Sequence, residues 1–509
     1  MNKIISANKA IKIIQDNDVI ASSGFRWSGS PELLLSELGS NYDKHNSPRD
    51  LTLIYSSAQG DSVSNGLENL ARKGLLKRVI GGFWGINPKL FELAKNNDIE
   101  AYNIPQGVIA RLYSFIASKA PGLITKTGLG TYIDPRCEGG KLNSITKDDL
   151  IEVIQIGEEE YLLYKSLKID IGLIRGTSAD SDGNIFIDKE AARLEILPLA
   201  IAVYNSGGKI IAQVEEQIEK NTINSKNVII PGYLIDHVVL SLDSKTDHRQ
   251  SCEYVYEPSL AGNYSNDSKR ITINEPTKKI ERQIIAKRAI AEIKSGDVIN
   301  LGQGIPTDII PLLKNYPNLK NIHFTLESGV SGGVPLAVPD FGLSYEPESM
   351  IRPDDMFMFF NGGGLDISFL GFAQIDKMGN VNVSKFGNNF VGCGGFIDIA
   401  QNTKKLIFCG GFNAKGLKVE LENSSLVIAS EGKLKKFINT LDQITYNPQF
   451  SSNNNQIIKI ITERCVFEYK AGRLEITEIM NGIDLDTQIL SMIGFDIYVS
   501  NDLKLMEIS

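Results

Sequence analysis

The sequence runs through the same blocks twice, which restricts it to two related halves. Asp18-Val19-Ile20 leads into a glycine turn, and so does Asp297-Val298-Ile299. An apolar run opened by Asp170 ends at Asp182-Gly183-Asn184-Ile185. One opened by Asp366 ends at Met378-Gly379-Asn380-Val381, with 13 residues from Asp to Gly in each (183 − 170 and 379 − 366). Lys209-Ile210-Ile211 and Lys405-Leu406-Ile407 form a third pair, at the same offset of 196 (405 − 209). The first pair is offset by 279 (297 − 18), so the N-terminal half carries about 83 residues (279 − 196) between its blocks that the other half lacks. Gly-Asn turns recur by chance in α/β proteins, but three blocks in one order favour a repeat.

Short apolar runs alternate with amphipathic helices, the signature of α/β layers. Strands are expected at 19–22, 51–55, 78–80, 169–174, 209–214, 298–301, 323–326 and 405–409. Helices are expected at 31–38, 66–73, 108–118, 191–204, 280–294 and 307–313. The pattern lapses between 244 and 279, where Ser, Asn and Asp accumulate with Pro258 and Pro276; this reads as a linker. Two α/β domains therefore follow, at 1–243 (with an insertion at about 80–150) and 280–509, with the site where they meet. The length of 509 residues agrees, since a single core stops growing near ~250–300 residues.

Composition removes several classes. With 42% hydrophobic and 22% charged residues the chain is neither disordered nor collagenous. Sixty-one acids against 53 bases argue against a nucleic-acid surface. Five scattered cysteines without a CxxC pair point to a reducing compartment, and four isolated histidines give no metal spacing. No window reaches the ~20 apolar residues of a membrane span, and the N-terminus lacks a signal peptide's apolar core. A cytoplasmic protein without membrane or nucleic-acid partners is expected.

Three glycine-rich turns in the C-terminal half carry the chemical signal. Phe324-Thr325-Leu326-Glu327-Ser328-Gly329 places an acid at the end of an expected strand, where parallel sheets present functional groups. Asn300-Leu301-Gly302-Gln303-Gly304-Ile305-Pro306 is strand, turn, then helix, and its backbone N–H groups would suit an oxyanion or phosphate. It lacks the third glycine of a dinucleotide fingerprint. Gly392-Cys393-Gly394-Gly395 offers further backbone donors. In the N-terminal half, Gln106-Gly107 opens a helix, where Gln106 either binds a carboxylate or caps the helix. Arg136 either pairs with an anion or with its neighbours Asp134 and Glu138. Cys393, with no histidine placed to activate it, reads as packing.

Together, Asn300-Leu-Gly-Gln-Gly-Ile-Pro306, Glu327-Ser-Gly329, Gly362-Gly-Gly-Leu-Asp366 and Asn382-Val-Ser-Lys-Phe-Gly387 resemble family I coenzyme A transferases. More narrowly they resemble the acetate/propionate CoA-transferase group, related to succinyl-CoA:3-ketoacid CoA-transferase. Ala101-Tyr-Asn-Ile-Pro-Gln-Gly107 and Asp134-Pro-Arg-Cys-Glu-Gly-Gly-Lys-Leu-Asn143 match the same group, and the likeness spans nearly the whole chain. The resemblance implies two fused CoA-transferase domains, a homodimer or homotetramer, and a short-chain acyl-CoA and a small carboxylic acid as substrates. It implies no cofactor beyond coenzyme A itself, which enters as substrate and becomes covalently attached.

By the same resemblance Glu327 is the nucleophile of a ping-pong reaction through a glutamyl-CoA thioester. Asn300, Gly302, Gly304, Gly329, Gly392, Gly394 and Gly395 would bind CoA and the oxyanion, and Gln106 and Gly107 the carboxylate substrate. Phe83, Gln303 and Ser331 depart from the group's usual residues and bear on acid specificity. An acyl-CoA hydrolase on the same fold and a non-catalytic acyl-CoA-binding protein are the alternatives; acceptor-independent CoA release distinguishes the first, and a binding protein needs no nucleophile.

Overall fold

The structure, a computed structural model, describes residues 3–220, 222–263, 275–451 and 455–508. Its first half is built on seven strands: β1 (Val19–Ser22), β2 (Leu51–Tyr55), β3 (Leu76–Gly81), β4 (Glu100–Asn103), β5 (Ile171–Arg175), β6 (Lys209–Val214) and β7 (His237–Leu240). They form one parallel sheet in the order β7-β6-β5-β1-β2-β3-β4. Every residue of β5 is buried, as expected of a parallel strand covered on both faces.

The second half holds β8 (Val298–Leu301), β9 (His323–Phe324), β10 (Ile367–Gly371), β11 (Lys405–Cys409), β12 (Ile457–Ile461), β13 (Cys465–Lys470), β14 (Arg473–Ile479) and β15 (Tyr498–Leu505). Their order is β9-β8-β10-β11-β12-β13-β14-β15. The first five run parallel, and β13 and β14 add an antiparallel extension.

The order β7-β6-β5-β1-β2 repeats as β12-β11-β10-β8-β9, so the repeat read from the sequence is a repeat of the fold. It reaches individual hydrogen bonds. The Val19 N–H donates to Asp170 Oδ2 at 3.0 Å, and the Val298 N–H to Asp366 Oδ2 at 3.0 Å. Asp180 Oδ1 accepts from the N–H groups of Asp182 and Asn184, as Asp376 Oδ1 does from Met378 and Asn380. These aspartates recur because each anchors a strand start or a turn that the fold cannot form without an acceptor. The extra N-terminal residues build β3, β4, the helix α1 (Gln106–Ala117) and a small antiparallel sheet of Gly122–Thr125, Glu159–Lys165 and Ile151–Ile156. The insertion thus runs past the expected 150.

Both sheets reverse direction in sequence order between β1 and β5 and between β8 and β10. Ligand crevices open outside the carboxyl ends of strands at such points. Two further helices of the second half, α2 (Pro353–Asn361) and α3 (Phe396–Ala400), lie along the junction, and α2 packs against α1.

Several expectations need correction. Residues 66–73 form only a 3₁₀ turn, Gly66–Leu70, because Gly66 and Glu68 are tied to the first turns of two neighbouring helices, at Glu32 and Lys89. The helix expected at 307–313 is a single α turn, Ile309–Leu312, flanked by 3₁₀ turns, and the one at 191–204 begins at Ile196. The expected linker is no free tether over its described part. Asp247, His248, Gln250 and Ser251 are buried, and Asp340 accepts hydrogen bonds from Ser251 and Cys252. Residues 264–274 of the expected linker lie outside the described residues. Among the described residues no helix is long and apolar enough to cross a membrane.

The loop after β1 is fixed from below by Arg175. This buried guanidinium meets Glu190 through two hydrogen bonds, of 3.0 and 2.6 Å, and donates to the carbonyls of Trp27, Ser30 and Arg249. Breaking a buried pair on one side leaves a charge without compensation. Arg175→Met is therefore expected to lower unfolding stability by about 3–5 kcal/mol, measured as a shift in the urea midpoint; an unchanged midpoint would contradict this role.

Candidate active site

Glu327 stands just past β9, in a tight turn closed by hydrogen bonds from the Leu326 N–H to the Val330 carbonyl (2.9 Å) and from the Gly329 N–H to the Leu326 carbonyl (3.0 Å). Gly329 has φ +91°, and a Cβ there would sit 2.1 Å from the Ile351 carbonyl oxygen, so the turn requires glycine. The turn aims the carboxyl into a cavity of about 380 Å³ at the junction of the halves.

Residues after β1, β2 and β3 line the cavity from the first half, among them Phe25, Ala58 and Phe83; residues after β8 and β10, among them Gly302 and Phe372, line it from the second. These are the strand ends at which the topology opens crevices. The walls are mostly apolar. Glu327 is 8% exposed, and its Oε2 has no hydrogen-bond partner among the described residues. Burial pushes its carboxyl up to about 7, its own backbone N–H opposes this, and the charge of Asp398 adds to the rise. A buried carboxyl without a partner is costly unless the site uses it.

The turn Gly392–Gly395 faces Glu327. A Cβ on Gly395 would lie 3.0 Å from Glu327 Cγ, and one on Gly394 would lie 3.7 Å from Phe83 Cδ2 and 3.8 Å from Gln106 Oε1. Carboxyl, ring and amide thus surround one bare stretch of backbone. The two halves are joined here. The Gln106 N–H donates to the Gly394 carbonyl at 2.9 Å, the Gly394 N–H to the Gly82 carbonyl at 2.8 Å and the Trp84 N–H to the Val391 carbonyl at 2.8 Å. Asn103 Oδ1 accepts from the Cys393 N–H at 2.9 Å.

The expected site residues separate into two sets. Glu327, Gln106, Gly302, Gly392, Gly394 and Gly395 line the cavity together. The N-cap of α1 is Pro105 and the Gln106 side chain lines the cavity, which favours the ligand reading over the capping one. Asn300, Gly304, Gly329 and Gly107 do not line it. Asn300 lies buried in β8, its amide donating to the Thr325 carbonyl at 3.0 Å, and so braces the strand that delivers Glu327. Gly107 lies behind Gln106, donating to Asp398 Oδ2 at 3.0 Å. The N–H groups of Gly302, Gly392 and Gly394 already donate to the Phe369, Ser384 and Gly82 carbonyls, which leaves Gly395 as the cavity's backbone donor from that set. Phe83 and Gln303 line the cavity, whereas Ser331 pairs with Ser349 in a hairpin away from it. Arg136 is paired with Asp134 and Glu160, so the anion reading fails for it. Among the described residues no group of three His, Cys, Asp or Glu side chains could hold a metal.

Phe25, Phe341, Phe396 and Asp398 were missed. The repeat offered a signal for Phe25, since Ser23-Gly24-Phe25 follows β1 as Gly302-Gln303-Gly304 follows β8. Phe396 and Asp398 stand directly after the glycine turn. Phe341 carried no signal, because its approach depends on a long excursion after β9.

The coenzyme A transferase family profile matches residues 4–241 and 283–487. The chain is 41% identical over 512 residues to a caffeate CoA-transferase of Acetobacterium woodii, covering 100% of this chain and 97% of that protein. To the acetate CoA-transferase YdiF of Escherichia coli (strain K12) it is 37% identical over 510 residues, covering 99% and 94%. The crystal structure of the acyl-CoA transferase YdiF apoenzyme from Escherichia coli O157:H7 superposes with a TM-score of 0.92 at 35% identity, covering 99% of this chain and 95% of that one. The thioester complex of that enzyme with CoA superposes at 0.91.

Gly107, behind the cavity wall, packs closely against the second half. A Cβ on Gly107 would lie 2.4 Å from Phe357 Cδ1 and 2.6 Å from Asp398 Oδ1. Gly107→Ala is expected to cost about 1–3 kcal/mol through overpacking; an unchanged melting temperature would contradict the close approach.

Proposed function

Because the chain belongs to the coenzyme A transferase family and is a CoA-transferase, we propose that Glu327 is its nucleophile and that Gln106 and Gly395 serve the reacting groups. The observation that carries this reading is the buried Glu327 carboxyl, its Oε2 without a partner among the described residues, beside the bare Gly394–Gly395 backbone and across from the Gln106 amide.

The Glu327 carboxylate attacks the thioester carbonyl of a short-chain acyl-CoA. Collapse of the tetrahedral adduct breaks the C–S bond, giving a mixed anhydride and CoA thiolate. The thiolate then attacks the glutamyl carbonyl and the free acid departs as carboxylate, leaving glutamyl-CoA. An incoming carboxylate attacks this thioester and the two steps run in reverse, so thioester energy passes on without nucleotide hydrolysis. A carboxylate nucleophile suits the task because it exchanges symmetrically with carboxylate substrates. The Gly395 N–H stabilises the developing oxyanion, a contribution worth ~3–4 kcal/mol per well-placed donor. The Gln106 amide orients the small carboxylic acid, and the apolar walls keep water from the anhydride.

The domain division at 1–243, 244–279 and 280–509 belongs to this reading, supported by the two matched sheets. So do a homo-oligomer, a cytoplasmic location and the use of coenzyme A as substrate with no other cofactor.

Incubation with acyl-CoA, without acceptor, followed by digestion and mass spectrometry is expected to place a CoA adduct on the peptide containing Glu327. Glu327→Gln is expected to lose the adduct and roughly ten-thousandfold or more in turnover. An adduct elsewhere, or one that persists in the variant, would overturn the assignment.

Ionisation gives a second test. Attack requires the carboxylate, and with its carboxyl pushed up to about 7 Glu327 is mostly protonated below that pH. The single-turnover rate of adduct formation is expected to rise through a single ionisation near pH 7. A rate already constant from pH 5 upward would contradict the buried state of the nucleophile.

A further inference from the structure

We propose that Asp398 is a positioning residue for the transfer: it fixes the start of α1 against the turn facing Glu327, and its negative charge favours the acylated over the free form of the nucleophile. This inference rests on Glu327 being the nucleophile.

Asp398 lies in the first turn of α3, three residues after Gly395, and is fully buried. Its Oδ2 accepts from the Gly107 N–H at 3.0 Å, across the junction of the halves, and its Oδ1 accepts from Asn361 Nδ2 at 3.2 Å. A carboxylate at the N-terminus of a twelve-residue helix satisfies one orphan N–H and meets the positive end of the helix dipole. The preceding residue, Gln106, is thereby held on the Gly394 carbonyl with its amide in the cavity. Asn361 is itself held by Asn402 and by Thr127 of the first half. The clamp therefore spans both halves.

A neutral Asn or Ser would cap the helix without the cost of a buried charge. Burial pushes the Asp398 carboxyl itself up to about 6, opposed by the hydrogen bonds from Asn361 and Gly107 and by Arg111. Above that pH it is charged and does something a neutral cap does not, acting on Glu327 through an apolar interior where screening is weak. Two carboxylates near one site disfavour joint ionisation. Converting Glu327 to a neutral anhydride or thioester removes that repulsion, so Asp398 raises the free-glutamate state relative to the acylated ones.

The other charged or titratable groups around Asp398 do not cancel it locally. Arg111, one turn along α1 from Gly107, attracts it at longer range and is shared with Asp354; no hydrogen bond from Arg111 reaches Asp398, and its Nη1 is buried without a hydrogen-bond partner among the described residues. Tyr164 and Cys393 on the remaining sides are held neutral by burial, their ionisation pushed upward.

Asp398→Asn keeps the shape and an acceptor for the Gly107 N–H but removes the charge. It is expected to move the acid limb of single-turnover adduct formation to lower pH by about one unit, and to lower the equilibrium ratio of glutamyl-CoA to free enzyme roughly tenfold at a fixed acyl-CoA to acid ratio. Asp398→Ser, a smaller neutral cap, is expected to move the limb the same way. A purely structural Asp398 would lower the rate in both variants at an unmoved limb, and that result overturns the proposal, as does a limb that moves to higher pH in either. If Asp398→Asn does not fold, the direction of the Asp398→Ser shift decides alone. The parent enzyme separates the two readings: no adduct on Glu327 defeats the nucleophile assignment, whereas an adduct with an unmoved limb defeats only this inference.

Discussion

The site exists because one turn of the second half, Val391–Gly395, is bonded through its backbone to the first half. Gln106, Trp84 and Asn103 meet the carbonyls or N–H groups of Gly394, Val391 and Cys393, and Gly394 returns a bond to Gly82. Each bond is modest, ~0.5–1.5 kcal/mol net. In concert they set the distance between a carboxyl on one sheet and an amide on the other. Glycine serves this seam in two ways: Gly394 turns at φ +54°, and Gly82 lets neighbouring backbone approach closely. At Gly82 a Cβ would lie 1.9 Å from the Ser56 carbonyl oxygen.

Burial of Glu327 follows from that seam and suits the nucleophilic role proposed for it. In water a carboxylate is a poor nucleophile, well solvated and weakly basic. In an apolar crevice the charged form loses its hydration, the carboxyl becomes more basic, and the acylated form, which carries no charge, becomes comparatively favourable. The same walls exclude the water that would drain an anhydride. The fold meets the cost of that buried carboxyl through its large hydrophobic clusters, one of which joins residues of both halves.

Much of this was legible in the residues. The three repeated blocks placed β1, β5, β6, β8, β10 and β11, because strand starts anchored by Asp170 and Asp366 leave a sequence trace. Glu327, Gly395 and Gln106 were legible because each sits at a strand end or helix start beside glycines. The role of Asn300 was not, since whether an amide faces a ligand or braces β9 is decided by a residue 25 positions away. The same holds for the glycine N–H groups: which ones remain free depends on the carbonyls of Phe369, Ser384 and Gly82, and only the folded chain brings those near. Asp398 was invisible for a related reason, as its partner Gly107 is 291 residues distant. The short 3₁₀ turns after β2 and β8 were read as helices because their apolar spacing is helical while tertiary bonds cut them short.

The central claim is that an oxygen atom of Glu327 is exchanged for substrate oxygen during turnover. If acid labelled with heavy oxygen in both carboxylate positions is turned over with unlabelled acyl-CoA, the acid attacks glutamyl-CoA through a labelled oxygen. Thiolate then attacks the acyl side of the anhydride, and that bridging oxygen stays on the enzyme. Mass spectrometry of the peptide containing Glu327 should show one heavy oxygen gained after a single turnover, and up to two after many, at the side-chain carboxyl. A peptide that stays unlabelled while labelled acyl-CoA accumulates would mean that the acid reacts without passing through Glu327, and would contradict the account.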